Sequence, residues 1–343
     1  VRLLSASFAL KALFLGLGIL ILLFVVPMLS LAESVKMILP IAVAILIFDN
    51  FRELGFSLVR AIEKTELEAA LYLLTNTAIL VFGFLFLRAS PTVTLFTYAY
   101  ALGTGVGMVA TLLVLRKYLS GIFGGFPWST AKHILLSGWP FAISMILGVL
   151  LIDTDILIIG WLRSSEEVGL YSAAQRIVQL LYLLPGILST SLLPAFARLA
   201  EKNDEKLRKG LGSLLGIVYL IAIPMVLGGI ILGPEIINLI FGAEYLRAAL
   251  PFQILLAALL VNFPATILAN ALFSYNKQAQ IIYYALIGGL LNVVLDLLII
   301  PRFGMVGSAV VTFVAQLAAN LYLWRLTKKI VPFQLFPHLK KVV

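Results

Sequence analysis

The chain contains no cysteine and only two histidines, His133 and His338, in 343 residues. Without thiols there is no disulfide framework, no thiolate metal site and no cysteine nucleophile. Two histidines, neither inside an apolar run, leave no basis for a histidine metal centre or a catalytic triad. Charge is scarce as well. Asp, Glu, Lys and Arg make up 12% of the residues, against roughly 25% in soluble domains. Such a chain lacks the polar surface of a soluble enzyme or a nucleic-acid-binding domain, and its apolar content excludes disorder.

What is abundant is apolar: 62% of the residues, with a strongly positive mean hydropathy. This composition specifies an all-α polytopic membrane protein. A bilayer core of about 30 Å needs roughly 20 apolar residues per helix. Ten runs qualify: 8–30, 38–61, 67–87, 92–115, 138–162, 168–196, 211–232, 249–273, 280–300 and 305–326. Ten crossings place both ends on one side. The 25 Lys and Arg residues test that count independently of hydropathy. Nineteen fall on one side; only Lys36, Arg88, Arg163, Arg247 and Arg302 fall on the other, and Arg176 lies within a span. The positive-inside rule makes the richer side cytoplasmic, with both visible ends there. The net charge of +9 is therefore read as loop charge in a prokaryotic plasma membrane, not as a nucleic-acid footprint.

A weak internal repeat sets the expected organisation. The stretch from Asn50 (NFRELGFSLVRAIEK) resembles the stretch from Asn262 (NFPATILANALFSYNK). Asn50 pairs with Asn262, Lys64 with Lys277 and Asn76 with Asn292, at offsets of 212, 213 and 216. Six helices separate the copies, so they share an orientation, as in transporters built from parallel repeats. Carrying the offset back from residues 134–200 predicts two helices upstream of Val1. The expected domains are 1–118, four remaining helices of a first lobe; 119–330, a six-helix second lobe with an interfacial helix over Phe126–Gly138; and 331–343, a cytoplasmic tail.

Ionisable residues inside spans mark candidate sites, because each costs about 2.5–3.5 kcal/mol at a helix centre. At 1.5 Å per residue, Asp155 lies about 10 Å deep, Asp153 about 14 Å and Arg176 about 12 Å. Only one of the two aspartates can face Arg176. Two readings are open: an ion pair that fixes packing, or Arg176 lining a cavity and meeting an anionic group, with an aspartate as counter-ion or proton carrier. Gln175 and Gln179, four residues apart, extend a polar lining. In the second run Asp49, Arg52, Glu53 and Arg60 share one helix face, either neutralising one another or lining a cavity. Asp296 is expected near the interface beside Arg302, without a role. Pro185, Pro224 and Pro264 are expected to kink their helices. Gly103, Gly105 and Gly107 (GTGVG) lack the strand-to-helix setting of a nucleotide loop and are read as close helix packing. No catalytic constellation or metal-ligand spacing is present, so no enzyme activity, metal or cofactor is expected.

The segments DILIIG (Asp155–Gly160), VGLYSAAQRI (Val168–Ile177) and LPGILSTSLLPAFARL (Leu184–Leu199) resemble the second lobe of polysaccharide flippases. FGAEYLRAALPFQIL (Phe241–Leu255) and PRFGMVGSAVVT (Pro301–Thr312) extend the likeness. These flippases belong to the multidrug/oligosaccharidyl-lipid/polysaccharide exporter superfamily. The resemblance implies two six-helix lobes around a cavity and export of a polyprenyl-(di)phosphate-linked oligosaccharide by alternating access. The expected partners are that substrate, the bilayer and a coupling ion, proton or sodium. It also implies a cavity arginine: Arg176 matches by motif, whereas Arg52 and Arg60 follow from face geometry. Asp155, Asp153, Asp49 and Glu53 are the ion- or proton-coupling candidates. A cation-coupled drug antiporter is the alternative, and a membrane glycan polymerase the second. The antiporter would need an acidic cavity, and the polymerase a large external loop.

Overall fold

The computed structural model describes residues 2–25, 28, 33–119, 128–187, 196, 198–199, 204–275, 277 and 280–334. Every regular element among them is helical. The long helices are α1 (Arg2–Leu20), α2 (Glu33–Ala61), α3 (Thr65–Ala89), α4 (Val93–Leu119) and α5 (Trp128–Ile152). They are followed by α6 (Thr154–Leu162), α7 (Ser165–Leu181), α8 (Asp204–Ile231), α9 (Gly233–Phe241), α10 (Ala249–Ser274) and α11 (Ile281–Ile330). Six segments among the described residues are long and apolar enough to cross a membrane: Ser5–Phe24, Thr65–Ala89, Val93–Lys117, Glu205–Ile231, Ala243–Ser274 and Ile281–Ile330. The chain is an all-α, multi-span membrane protein.

The chain divides into two compact units, residues 1–139 and 140–343. The helix over Trp128–Gly138, expected to lead into the fifth apolar run, is continuous with it as α5. Residues 126 and 127 lie outside the described residues, as do 188–195 of the sixth run and 335–343 of the tail. Val331 and Phe333, where the tail begins, are buried, and the Phe333 ring meets Trp324 edge-on at 5.1 Å.

In the first unit α4 packs against both α2 and α3. The glycines of GTGVG create those contacts. A Cβ on Gly103 would come within 2.7 Å of the Ile79 backbone, and one on Gly107 within 2.9 Å of Thr75 Cβ. A Cβ on Gly105 would lie 3.2 Å from the Phe48 ring. Lipid is as apolar as leucine, so helices in a bilayer associate through close backbone approach more than through apolar burial. Thr75, Thr104 and Thr111, all buried, return their hydroxyls to carbonyls of their own helices, at Leu71, Ala101 and Gly107.

The second unit has the larger core. Ile159, Tyr171, Leu207, Leu211, Leu215, Ile237, Phe252, Leu259 and Ile267 are almost fully buried in one cluster. The centre is α10, which contacts α7, α8 and α11 and buries most of its residues, Pro264 included. α8 and α10 each run on through a proline, Pro224 and Pro264. The sharp change of direction is elsewhere: α11 combines the ninth and tenth expected runs, and its helical geometry fails at Gly304 (φ 57°, ψ −145°). That conformation suits glycine, and Pro301 three residues earlier removes a backbone donor.

Candidate functional site

Two features of the second unit meet at one threonine. The first grows from α6, α7 and α11. Ser164 caps α7 in an extended conformation, its hydroxyl accepting the Glu167 N–H at 3.2 Å. The Glu167 carboxylate reaches across the chain instead of back to the cap. It pairs with Arg163 at 2.9 Å and accepts the Met305 N–H at 2.9 Å. Arg163 donates to the Pro301 carbonyl at 3.3 Å. This clamp holds the Gly304 break, and a Cβ on Gly304 would collide with the Glu167 carboxylate.

The break brings the two arms of α11 together beside α6. Asp155, near the start of α6, is completely buried and accepts hydrogen bonds from the Tyr171 hydroxyl and from Thr312 Oγ1, the latter at 2.5 Å. Asp296, also completely buried, comes from the first arm, and its carboxyl lies within reach of Asp155. Asn292, one turn before Asp296, donates to Thr312 Oγ1 at 3.4 Å. Ser308 lies beside Asp296, one turn before Thr312. Five oxygens here have no hydrogen-bond partner among the described residues: Asp155 Oδ1, both Asp296 oxygens, Asn292 Oδ1 and Ser308 Oγ. Neither aspartate forms an ion pair among the described residues. Two carboxyls, an amide oxygen and a hydroxyl make an all-oxygen set, which suits a proton or a small hard cation and no soft metal. Among the described residues no group of three His, Cys, Asp or Glu residues occurs that could hold a metal ion on such ligands alone.

The second feature is a cavity of about 610 Å³ between α7, α10 and α11. Its lining includes Gln175, Gln179, Tyr182, Asn262, Thr266, Asn270, Tyr284, Thr312 and Gln316 and, among the described residues, no Asp, Glu, Lys, Arg or His. The amides are fixed in place. Asn320 donates to Asn262 Oδ1 at 2.7 Å, and Asn262 Nδ2 donates to the Tyr182 oxygen at 2.7 Å and to Gln316 Oε1. Thr312 belongs both to this wall and to the Asp155 cluster.

The structure separates the residues predicted from sequence. Gln175 and Gln179 line the cavity together. The Arg176–aspartate ion pair is not formed. Arg176 is on the exposed face of α7, and its contact is a 3.5 Å hydrogen bond to Gln179 Oε1. Asp155 takes the phenol of Tyr171 instead, five residues earlier and about 140° around the helix from Arg176. A phenol satisfies the carboxyl without desolvating a guanidinium. Asp153 is exposed at the turn between α5 and α6. Asp296, expected near the interface without a role, is instead buried beside Asp155. What separate helical runs do not show is that the second arm of α11, beyond the Gly304 break, packs beside it.

In the first unit the α2 cluster is self-neutralising. Arg52 meets Asp49 at 2.8 Å and stacks over Phe56 at 5.6 Å. Arg60 pairs with Glu68 and lies 4.0 Å from Glu53. Sequence reasoning missed Tyr171, Asn292, Asp296 and Thr312. Their signal was there: Asn292 and Asp296, then Ser308 and Thr312, are polar i,i+4 pairs in apolar helices on either side of a PRFG break.

A family model described as polysaccharide biosynthesis protein matches residues 106–250. A probable low-salt glycan biosynthesis flippase, Agl15 of Haloferax volcanii, is 25% identical over 159 residues, which cover 46% of this chain and 34% of that protein. The matched region thus spans about a third of that relative's length. The lipid II flippase MurJ in an inward closed conformation superposes with a TM-score of 0.79 at 19% identity, covering 95% of this chain and 72% of that one. An inward-facing multidrug resistance MATE family transporter of the MOP superfamily superposes with a TM-score of 0.77 at 14% identity, covering 96% and 80%. The chain therefore has the fold of these transporters and resembles the polysaccharide flippases among their relatives.

Proposed function

We propose that this protein moves a polyprenyl-(di)phosphate-linked oligosaccharide from the cytoplasmic to the outer leaflet of a prokaryotic plasma membrane. It does so by alternating access, with the visible ends of the chain on the cytoplasmic side. One observation carries the reading: a substrate-sized cavity and a buried pair of carboxyls without a base share the Thr312 hydroxyl. A transporter must link movement of substrate to an energy source. Here a proton or sodium ion taken up as cargo by Asp155 and Asp296 would redirect the Thr312 hydroxyl. The redirected hydroxyl alters the cavity wall on the next turn of α11. By reciprocity, a ligand that draws on Thr312 changes the affinity of the carboxyl pair for its ion.

Arg176 supplies the anion contact. It is permanently charged, its fork matches phosphate oxygens, and its bond to Gln179 holds it at the cavity rim. Asp153 is too exposed for the coupling role, which passes to Asp155 with Asp296. Asp49, Glu53, Arg52 and Arg60 are assigned to packing of the first unit.

The test is flipping of polyprenyl-diphosphate-linked oligosaccharide by the full chain in proteoliposomes, comparing wild type with Arg176→Ala, Arg176→Lys and Asp155→Asn. Loss of flipping in Arg176→Ala with partial retention in Arg176→Lys is the expected result. A wild-type protein that leaves the lipid in place but exports an organic cation would overturn the reading.

A further inference from the structure

We propose that the cavity of the second unit is a subsite for uncharged sugar rings, and that the anionic linker of the substrate stays outside it, against Arg176. The flippase reading is used here only to say what carries the sugar; the recognition chemistry is the cavity's own.

The cavity's size falls within the range of small-molecule pockets, about 300–1,000 Å³, and accommodates a di- or trisaccharide. Among the described residues its lining contains no ionised group. A phosphate or uronate brought inside would lose its hydration with no counter-charge, at a penalty of several kcal/mol in so apolar a setting. An apolar ligand is a poorer match, since it would cover the wall's polar groups and shed their water without hydrogen-bonding any of them. A neutral sugar meets both demands. Each of its hydroxyls donates one hydrogen bond and accepts two, and a primary amide offers donors and acceptors side by side. The apolar C–H face of the ring can lie on the Tyr182 or Tyr284 aromatic surface.

The amide network also sets the direction of the bonds offered. Asn262 uses both N–H groups internally, on Tyr182 and Gln316, and its oxygen accepts from Asn320. The Tyr182 oxygen thus already accepts a bond, which leaves its O–H available to donate. Gln316 Oε1 is likewise occupied by Asn262. The network holds these groups in place at the wall, so that little ordering remains when the ligand enters. Gln179 lines the cavity and touches Arg176. Among the described residues, the cationic group in contact with this lining is thus at the rim, where a phosphate joined to the first sugar would emerge.

Binding to the purified full chain in nanodiscs tests this. The probes are neutral di- and trisaccharides of hexoses and N-acetylhexosamines, each with and without a phosphate at the reducing end, read by calorimetry. Wild type should bind a neutral probe. Gln316→Leu and Tyr182→Phe should each weaken that binding about tenfold, the loss of roughly one hydrogen bond. Arg176→Ala should leave neutral-sugar binding within about twofold and remove the additional affinity of the phosphorylated probe. Thermal stability of each variant guards against misfolding. Wild type that is folded but binds none of the neutral probes overturns the subsite, as does wild-type affinity in Gln316→Leu. Flipping without neutral-sugar binding would sink the subsite and leave the transport reading standing. Neutral-sugar binding without flipping would do the reverse.

Discussion

The two units each carry buried or half-buried carboxylates on their helices, and they treat them in opposite ways. In the first unit both acids of the α2 cluster have a base nearby: Asp49 has Arg52, and Glu53 lies 4.0 Å from Arg60, which also pairs with Glu68 of α3. The bases also have other support, Arg52 from the Phe56 ring. In the second unit Asp155 and Asp296 are more deeply buried and neither forms an ion pair among the described residues. Their neighbours are a phenol, two hydroxyls and an amide. Two carboxyls at close range in low dielectric need a positive charge or a proton between them. The first cluster brings its own cation and is complete as folded. The second brings none among the described residues, which is what the proposed coupling role requires.

The sharpest way to break this comparison is to neutralise one acid in each unit. Asp296→Asn should reduce flipping on the order of 100-fold and abolish its dependence on the ion gradient, the upper range of typical coupling factors. The check is flipping in proteoliposomes with and without a proton or sodium gradient. Equal flipping by Asp296→Asn and wild type under every gradient would remove the coupling role. The equivalent change in the first unit, Asp49→Asn, should leave the gradient dependence intact.

A second prediction sharpens the comparison by attacking the support of one cluster alone. Glu167 neutralises Arg163 and accepts the Met305 N–H at the Gly304 break. Glu167→Ala leaves that donor and Arg163 without their acceptor and should cost about 1–3 kcal/mol. A lower melting temperature in detergent, with weaker ion dependence of flipping, is the expected result. Gln in place of Glu keeps one acceptor oxygen and should recover part of the loss. A change in stability that leaves the ion dependence untouched would mean that the break does not position Asp296 and Thr312.

How much of this was legible in the sequence differs between the units for the same reason. The fold class and the glycine packing of α4 were readable, because apolar composition and small-residue spacing are local properties. The α2 cluster was readable as one face, since its four members lie within twelve residues on a continuous helix. The Asp155 cluster is assembled from residues up to 157 apart across a helix break. Separate helical runs do not show that the arms of α11 meet across Gly304 beside Asp155, and equal depth did not show that Tyr171 and not Arg176 is on the face of α7 turned to Asp155. In the cavity, Gln175 and Gln179 were legible from their i,i+4 spacing. Asn262 had been noticed as a repeat position, but its contacts with Tyr182, Gln316 and Asn320 exist only after α7, α10 and α11 pack.

The smallest expected effect concerns the self-neutralised pair. Asp49 and Arg52 are only partly buried, at 31% and 13% side-chain exposure, and their contact is an ionic approach more than a well-directed hydrogen bond. Asp49→Asn strands the guanidinium in a half-buried site and should destabilise by about 1 kcal/mol, well below the 3–5 kcal/mol of a fully buried pair. Arg52→Gln removes the cation and its ring contact at once and should cost about the same. The double variant should lose less than the sum, because each single change leaves an uncompensated charge that the other removes. Melting temperatures of the four proteins close that cycle. A coupling indistinguishable from zero would show that α2 holds its charges apart by solvation and not by pairing, and the contrast between the units would then rest on burial alone.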